Sequence, residues 1–415
     1  MKILLYTDLA IRLDQLFWHR DLGLLTKAFR ALGHNALLVV HPAGDTSSNI
    51  KNPKFHRASG NPIHHGMTTE NGQGRFLRGQ SNIQDDPVLW VSQQDALNPL
   101  WWKDHHPDLV ILGLWTRPKY DPIRRAALSA TPHVIERADS DGMRTASCGL
   151  LTYAKRRFDY FRDRTFRWPS LLSIPASIFY SFTSILATPW IETRLARTLK
   201  LLPAVAVETP HATNLWKSLA TRLGVDPSKI HCVPHPIQTD IFKFDPTIQK
   251  KNQIISVGRW ESYQKNLPLL LKTLRAFLDK NPSWTSLVIG SGLPTRSPHP
   301  RITFLSPLSP PDLARRMQES KIFFSSSRYE SFGLASAEAE ACGCLVVGPF
   351  EIPMLNHDSV SKNNSFLGST FSLLLGKLQT ASERGHPPSS QMKAAHISSP
   401  QFIASLLLRL PVFST

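Results

Sequence analysis

The chain has 415 residues, 41% of them hydrophobic and 19% charged, which is long for one core and comfortable for two domains of ordinary size. Forty-eight Lys and Arg against 31 Asp and Glu leave a formal charge of +17, an excess that asks for an anionic partner such as a membrane surface, a nucleic acid or the phosphates of a substrate. The apolar and charged fractions are those of a soluble globular protein, Cys148, Cys232, Cys342 and Cys344 offer no paired zinc spacing, and the Met1-Lys-Ile-Leu-Leu start is too short to be a signal peptide; a reducing, cytoplasmic setting is expected.

Residues 2–6 are predicted as the opening strand. Leu22, Leu25, Phe29 and Leu32 recur at helical spacing, Gly33-His34 closes that helix, and residues 36–40 begin the next strand, a βαβ start. Residues 43–86 are rich in Gly, Asn, His, Ser and Gln without periodicity and are expected to form an inserted loop. Strands resume at residues 108–114 and 133–137. Asp139-Ser-Asp141 mimics a metal-binding Asp-x-Asp, but turn residues before Gly142 explain it more simply, and no metal is expected there.

Residues 155–167 carry Lys155, Arg156, Arg157, Arg162, Arg164 and Arg167 among four aromatic residues, and residues 168–191 that follow contain no charge. Three readings are open for the uncharged run: a membrane span, a helix buried in the first domain, and an interfacial helix. Pro169, Pro175 and Pro189, together with the splitting of one domain core that spanning would require, favour the interfacial helix. It would rest on anionic lipid with Trp168 and Trp190 at its ends.

After Ile230-His-Cys-Val-Pro-His-Pro-Ile237 a second domain begins. Its predicted order is a strand at Ile254, a helix over residues 266–279, strands at residues 286–289 and 302–305, and a helix over residues 310–319 started by Ser309-Pro-Pro. A strand at residues 321–325, a helix over residues 333–341 and a strand at residues 345–347 follow. In the tail, residues 367–378 and 402–410 read as helices, and two readings stay open for the last: it crosses back to brace the first domain, or the tail is altered or shortened. The domain expectation is 1–240, 241–400 and a terminal helix within 401–415.

Two glutamates give this half its chemistry. Glu330 is predicted in a strand-to-helix loop and Glu338 about two turns further on, a separation of roughly 12 Å at helical rise and close to the reach of a sugar diphosphate plus ribose. Some seventy residues earlier a strand ends in Gly258, with Arg259 beyond it and Lys265 six positions later. Cations at the carboxyl ends of parallel strands face one crevice, where a planar Arg fork, a Lys point charge and helix N-terminal amides suit a diphosphate.

Val257-Gly-Arg-x5-Lys-Asn266, Val288-Ile-Gly290, and Glu330-Ser-Phe-Gly-Leu-x3-Glu338 followed by Ala341-Cys-Gly343 resemble the donor half of retaining, family-4-type glycosyltransferases of the GT-B architecture. The resemblance implies an α/β fold of two Rossmann-like doubly wound domains facing a central cleft. It implies that Arg259 and Lys265 neutralise a leaving nucleotide diphosphate, that Glu330 contacts donor-sugar hydroxyls, and that Gly258, Gly290, Ser331, Phe332, Gly333 and Leu334 line the donor. Glu338 would hold the ribose. No cofactor is implied beyond the nucleotide-sugar itself, and the acceptor would be a glycan, a lipid-linked group or a small molecule. The chain departs from the family in four places: the first loop lacks its glycines, His235-Pro236 stands where Asn-Gly is common, residues 349–355 lack the paired glycines expected there, and no histidine occupies residues 134–142. In that last stretch Asp139 is the residue able to accept a hydrogen bond from sugar or acceptor. A binding protein without transferase activity and a nucleic-acid binder are the alternatives, the second disfavoured.

Overall fold

The computed structural model describes residues 1–10, 21–41, 88–114, 116–138, 187–328, 330, 332–348, 370–383 and 397–413, with six isolated residues between 175 and 186. The loop expected over residues 43–86 and most of the basic and uncharged runs lie outside the described residues.

The first sheet has seven strands in the order β3-β2-β1-β4-β5-β6-β7. They are β1 (Lys2–Ala10), β2 (Asn35–His41), β3 (Val88–Trp90), β4 (Leu109–Gly113), β5 (Val134–Ala138), β6 (Ala204–Val207) and β7 (Ile230–Cys232). Every pairing is parallel, so both faces need cover and the central strands are apolar on both sides. Leu4 and Tyr6 of β1 point to one face with Val110 and Leu112. That face is covered by α3 (Pro99–Asp104), α4 (Asp121–Leu128), α5 (Thr188–Leu201) and α6 (Pro210–Arg222), through Trp102, Ile123, Leu199 and Trp216; a short α2 (Gln93–Leu97) precedes them. Ile3 and Leu5 point to the other, covered by Leu25 and Phe29 of α1 (Asp21–Ala31).

The second sheet has five parallel strands in the order β10-β9-β8-β11-β12. These are β8 (Lys251–Arg259), β9 (Thr285–Ser291), β10 (Ile302–Leu305), β11 (Ser320–Phe324) and β12 (Leu345–Val347). One face packs on α7 (Leu267–Lys280) and α10 (Thr370–Glu383), the other on α8 (Pro310–Glu319) and α9 (Leu334–Ala341). Ser309 caps α8, its hydroxyl accepting from the Asp312 amide at 3.3 Å.

The last helix, α11 (Pro400–Leu408), lies on the first sheet. Its Ile403, Ala404 and Leu407 are fully buried in the same cluster as Leu25 and Phe29. The link between the sheets, after β7, is tied to this returning segment by the Ile237 amide, which donates to the Ser398 carbonyl at 2.9 Å.

Candidate functional site

In each sheet the strand order reverses beside its first strand, and ligands of open parallel sheets bind at the carboxyl ends of strands at such a reversal. In the second sheet the reversal lies between β8 and β11. Gly258, Arg259 and Lys265 follow from β8 and Glu330 from β11, so the sequence-predicted donor residues meet at that place.

Glycine is required there for closeness. A Cβ on Gly290, whose φ is +141°, would sit 1.8 Å from the Gly258 carbonyl oxygen, and one on Gly258 would press on the Lys265 stem at 3.3 Å. Beyond Gly258 the chain stays tied to β9, because the Trp260 amide donates to the Ser291 carbonyl at 2.9 Å and its indole to that of Ile289 at 3.0 Å. A 3-10 turn, Tyr263–Lys265, then hands over to α7 through Asn266 in the left-handed conformation, φ 54° and ψ 54°, which Asn tolerates better than most residues.

Lys265 is thereby laid across Gly258 with its Nζ 2.6 Å from Glu330 Oε1. The same oxygen accepts from the Ser327 hydroxyl at 2.6 Å, and Glu330 Oε2 from Gln264 Nε2 at 3.4 Å. The two side chains of the pair keep 20% and 18% of their exposure, so a solute can reach them. Arg259 is exposed and forms no ion pair among the described residues. A second exposed cation, Arg328, lies over the Tyr263 ring at 4.1 Å and donates to Asn266 Oδ1 at 3.3 Å. Sequence reading missed Arg328, Tyr263, Gln264 and Ser327, although Arg328 stands only two positions before Glu330.

The helical-rise estimate for the Glu330 to Glu338 separation needs correction. Helix α9 starts only at Leu334, because Gly333 takes φ 86° and caps it from the left-handed region, so Glu330 precedes the helix and the separation cannot be reckoned at helical rise throughout. Gly333 offers its carbonyl to the amides of Ser336 and Ala337 at 2.9 and 3.0 Å. Glu338 sits in the second turn with its side chain buried, and Phe332 is 1% exposed in a cluster with Ile237, Ala337 and Ala341. Ser331 and Asp139 lie outside the described residues.

The corresponding reversal of the first sheet falls between β1 and β4, and its chemistry differs. Asp8 leaves β1 there, accepts from the Tyr120 hydroxyl through Oδ2, and keeps Oδ1 buried without a hydrogen bond. Burial raises its pKa, against the opposing pull of Lys119, Arg117 and His41. Beneath lies a closed ion pair. Arg124 Nε and Nη2 donate to Glu136 Oε2 and Oε1 at 2.5 and 2.6 Å, both side chains fully buried. Arg124 also reaches the Arg117 carbonyl and Asp121 at 2.8 Å, and the Thr116 amide donates to Glu136, so the turn after β4 is pinned from below. Among the described residues no group of three or more His, Cys, Asp or Glu gathers in metal-binding fashion.

Residues 238–349 match the family model of glycosyl transferases group 1. The chain is 24% identical over 173 residues to D-inositol 3-phosphate glycosyltransferase of Acidothermus cellulolyticus, covering 34% of this chain and 38% of that protein. It is 23% identical over 191 residues to GDP-mannose:cellobiosyl-diphosphopolyprenol alpha-mannosyltransferase of Xanthomonas campestris, covering 43% and 49%. The chain thus matches less than half the length of either relative. Fold similarity extends further: Anabaena HepE, solved with UDP and glucose, superposes with a TM-score of 0.53 at 15% identity over 100% of this chain and 96% of that one. The trehalose 6-phosphate synthase of Burkholderia multivorans gives 0.55 at 10% identity over 98% and 97%. The chain has the GT-B fold, and residues 238–349, within its second domain, match the model of glycosyl transferases group 1.

Proposed function

We propose that the protein is a retaining glycosyltransferase that moves a sugar from a nucleotide-sugar to an acceptor hydroxyl, in glycan, glycolipid or cell-envelope polysaccharide synthesis. The observation that carries this reading is the solvent-reachable Lys265–Glu330 pair at the reversal of the second sheet, beside the exposed Arg259. An arriving diphosphate competes with Glu330 for Lys265. Once Lys265 turns to phosphate, the Glu330 carboxylate is released for donor-sugar hydroxyls, so binding the two ends of the donor is one exchange of partners.

Negative charge develops on the leaving diphosphate, and preorganised Arg259, Lys265 and the amides opening α9 lower the barrier by meeting it. Gly258 and Gly290 let the donor approach the backbone, Ser331, Phe332, Gly333 and Leu334 line it, and Glu338 holds the ribose. The acceptor hydroxyl attacks from the face the leaving group departs, which preserves configuration, with Asp139 and the first-sheet reversal on the acceptor side. With two cations on the diphosphate, the reaction is proposed to need no metal. The names of the two relatives, both glycosyltransferases, and the UDP and glucose bound to HepE support this class of chemistry.

The test is a thermal-shift and hydrolysis screen against a panel of nucleotide-sugars with K265A and E338A as controls. A donor that stabilises the wild type, fails on both variants and is slowly hydrolysed supports the reading. Nucleotide binding with neither transfer nor hydrolysis favours a non-catalytic binding protein instead.

We also propose peripheral contact with an anionic membrane on its cytoplasmic side. Ile178, Phe179, Phe182, Leu186 and Trp190 are all more than half exposed, at near-helical spacing. Trp190 lies on the side of α5 opposite the buried Leu195 and Leu199, with Arg194 stacked over its ring at 4.8 Å. Exposed apolar side chains of this size beside basic ones suit a bilayer interface. No helix among the described residues is long and apolar enough to cross a membrane. Flotation with phosphatidylglycerol vesicles should be lost on replacing Phe179, Phe182 and Trp190 by Ser; unchanged flotation rejects the contact.

A further inference from the structure

The chain passes from the first domain to the second through Val233-Pro-His-Pro236. A residue before proline is steered to extended backbone, so Val233 and His235 are both held open and the segment has few backbone partners of its own. Arg137, at the end of β5 and 3% exposed, supplies them. Its Nη1 donates to the Val233 carbonyl and its Nη2 to that of Pro234, both at 3.0 Å.

His235 is then held by two groups of the first domain. Its Nδ1 lies 3.1 Å from Arg137 Nη2, a donor, and 3.2 Å from Asp21 Oδ1, an acceptor at the start of α1. Either tautomer of the ring is therefore satisfied by one of the two. Asp21 and Arg137 are the charged groups that face the ring among the described residues, and they attract each other at 3.7 Å. Asp21 is itself fixed, with φ 37° in the left-handed region. On its other side the His235 ring meets Phe332 edge-on, with centroids 5.4 Å apart and planes at 83°. Phe332 stands two residues after Glu330, in the loop that carries the donor chemistry.

We propose that His235 is a positioning residue: clamped by Asp21 and Arg137 of the first domain, it sets the loop of Phe332 and Glu330 in register with the acceptor side. Misplacement of a reacting group by about 1 Å costs on the order of a hundredfold in rate. The ring contacts Phe332 and neither Lys265 nor Arg259, so the clamp governs turnover more than donor affinity.

The kinetic part of the role rests on the transferase reading, and its test therefore includes a measurement that needs no activity. Hydrogen–deuterium exchange across residues 330–341 should quicken severalfold in H235A and in D21A, while exchange in β8 and β9 stays as in the wild type. In steady-state assays H235A should lose about tenfold or more in kcat with the donor KM changed less than about threefold. H235N, which keeps an amide near the Nδ1 position, should recover part of the loss. If H235A folds poorly, D21N serves as the second variant. Unchanged exchange across residues 330–341 in these variants overturns the proposal, whether or not the wild type turns over a sugar; so does a kcat within about twofold of wild type, or a loss confined to KM.

Discussion

Two ion pairs lie near the two sheet reversals of this molecule, and their contrast shows how one backbone plan serves two purposes. Arg124 and Glu136 are fully buried and joined by two hydrogen bonds; Lys265 and Glu330 are joined by one and keep about a fifth of their exposure. A closed pair cannot exchange partners, since separating it strands a charge in low dielectric. An open pair exchanges cheaply, since water and a ligand phosphate replace what is lost. The first pair holds a turn in place, and the second is free to take part in binding.

The contrast can be broken at either end. Replacing Arg124 or Glu136 by Ala should cost about 3–5 kcal/mol of stability, read as a large fall in the denaturation midpoint, with donor affinity intact in whatever fraction folds. Leu407→Ala, which hollows the contact of α11 with α1, should cost about 2–5 kcal/mol, measured in the same way. Lys265→Ala should lower turnover by about a hundredfold, near 2.7 kcal/mol of barrier, while its denaturation midpoint stays close to wild type. The charge swap K265E/E330K sharpens the comparison, because it should keep the pair and the fold but not the turnover. The same exchange at Arg124 and Glu136 should not fold, since the fork and its backbone partners are not interchangeable.

The smallest effect concerns the linker. Burial alone would raise the pKa of Asp21, but His235 and Arg137 outweigh it and hold the carboxyl below its usual range. A carboxylate depressed in the folded state contributes stability above its unfolded pKa, about 4, and loses it as pH falls through the lower folded value. The Tm difference between wild type and D21N should therefore be greatest near neutral pH and close progressively below about pH 4. A difference that is constant with pH would remove the ionic part of the clamp.

The second domain was legible because its signals are local. Ser309 before two prolines starts α8, Gly333 sets off α9, Gly258 lies in the last residues of β8, and Lys265 and Glu330 each stand six residues beyond a strand that its own apolar run defines. The first domain was less legible. Strand β6 is four residues long and β7 three, too short for periodicity to register. Helix α6 went unread although Thr209 before Pro210 is a start signal, its hydroxyl accepting from the Ala212 amide at 3.1 Å. Arg328 and Tyr263 meet only after folding, and Asp21 and His235 are 214 positions apart. No spacing rule reaches that far, so the clamp could be seen only in three dimensions.

The docking of α11 on the first sheet also bears on how the molecule is made. Ile403, Ala404, Leu407 and Val412 complete a cluster whose other buried members lie in residues 3–40, 109–135 and 204–233. During synthesis the first domain waits with an open apolar face while the whole second domain emerges from the ribosome. The second sheet, whose strands are all in place by residue 347, can close first. The usual order, in which the N-terminal domain settles before the next is made, therefore does not hold for this face of the first domain, which is completed only when residues 403–412 have been made.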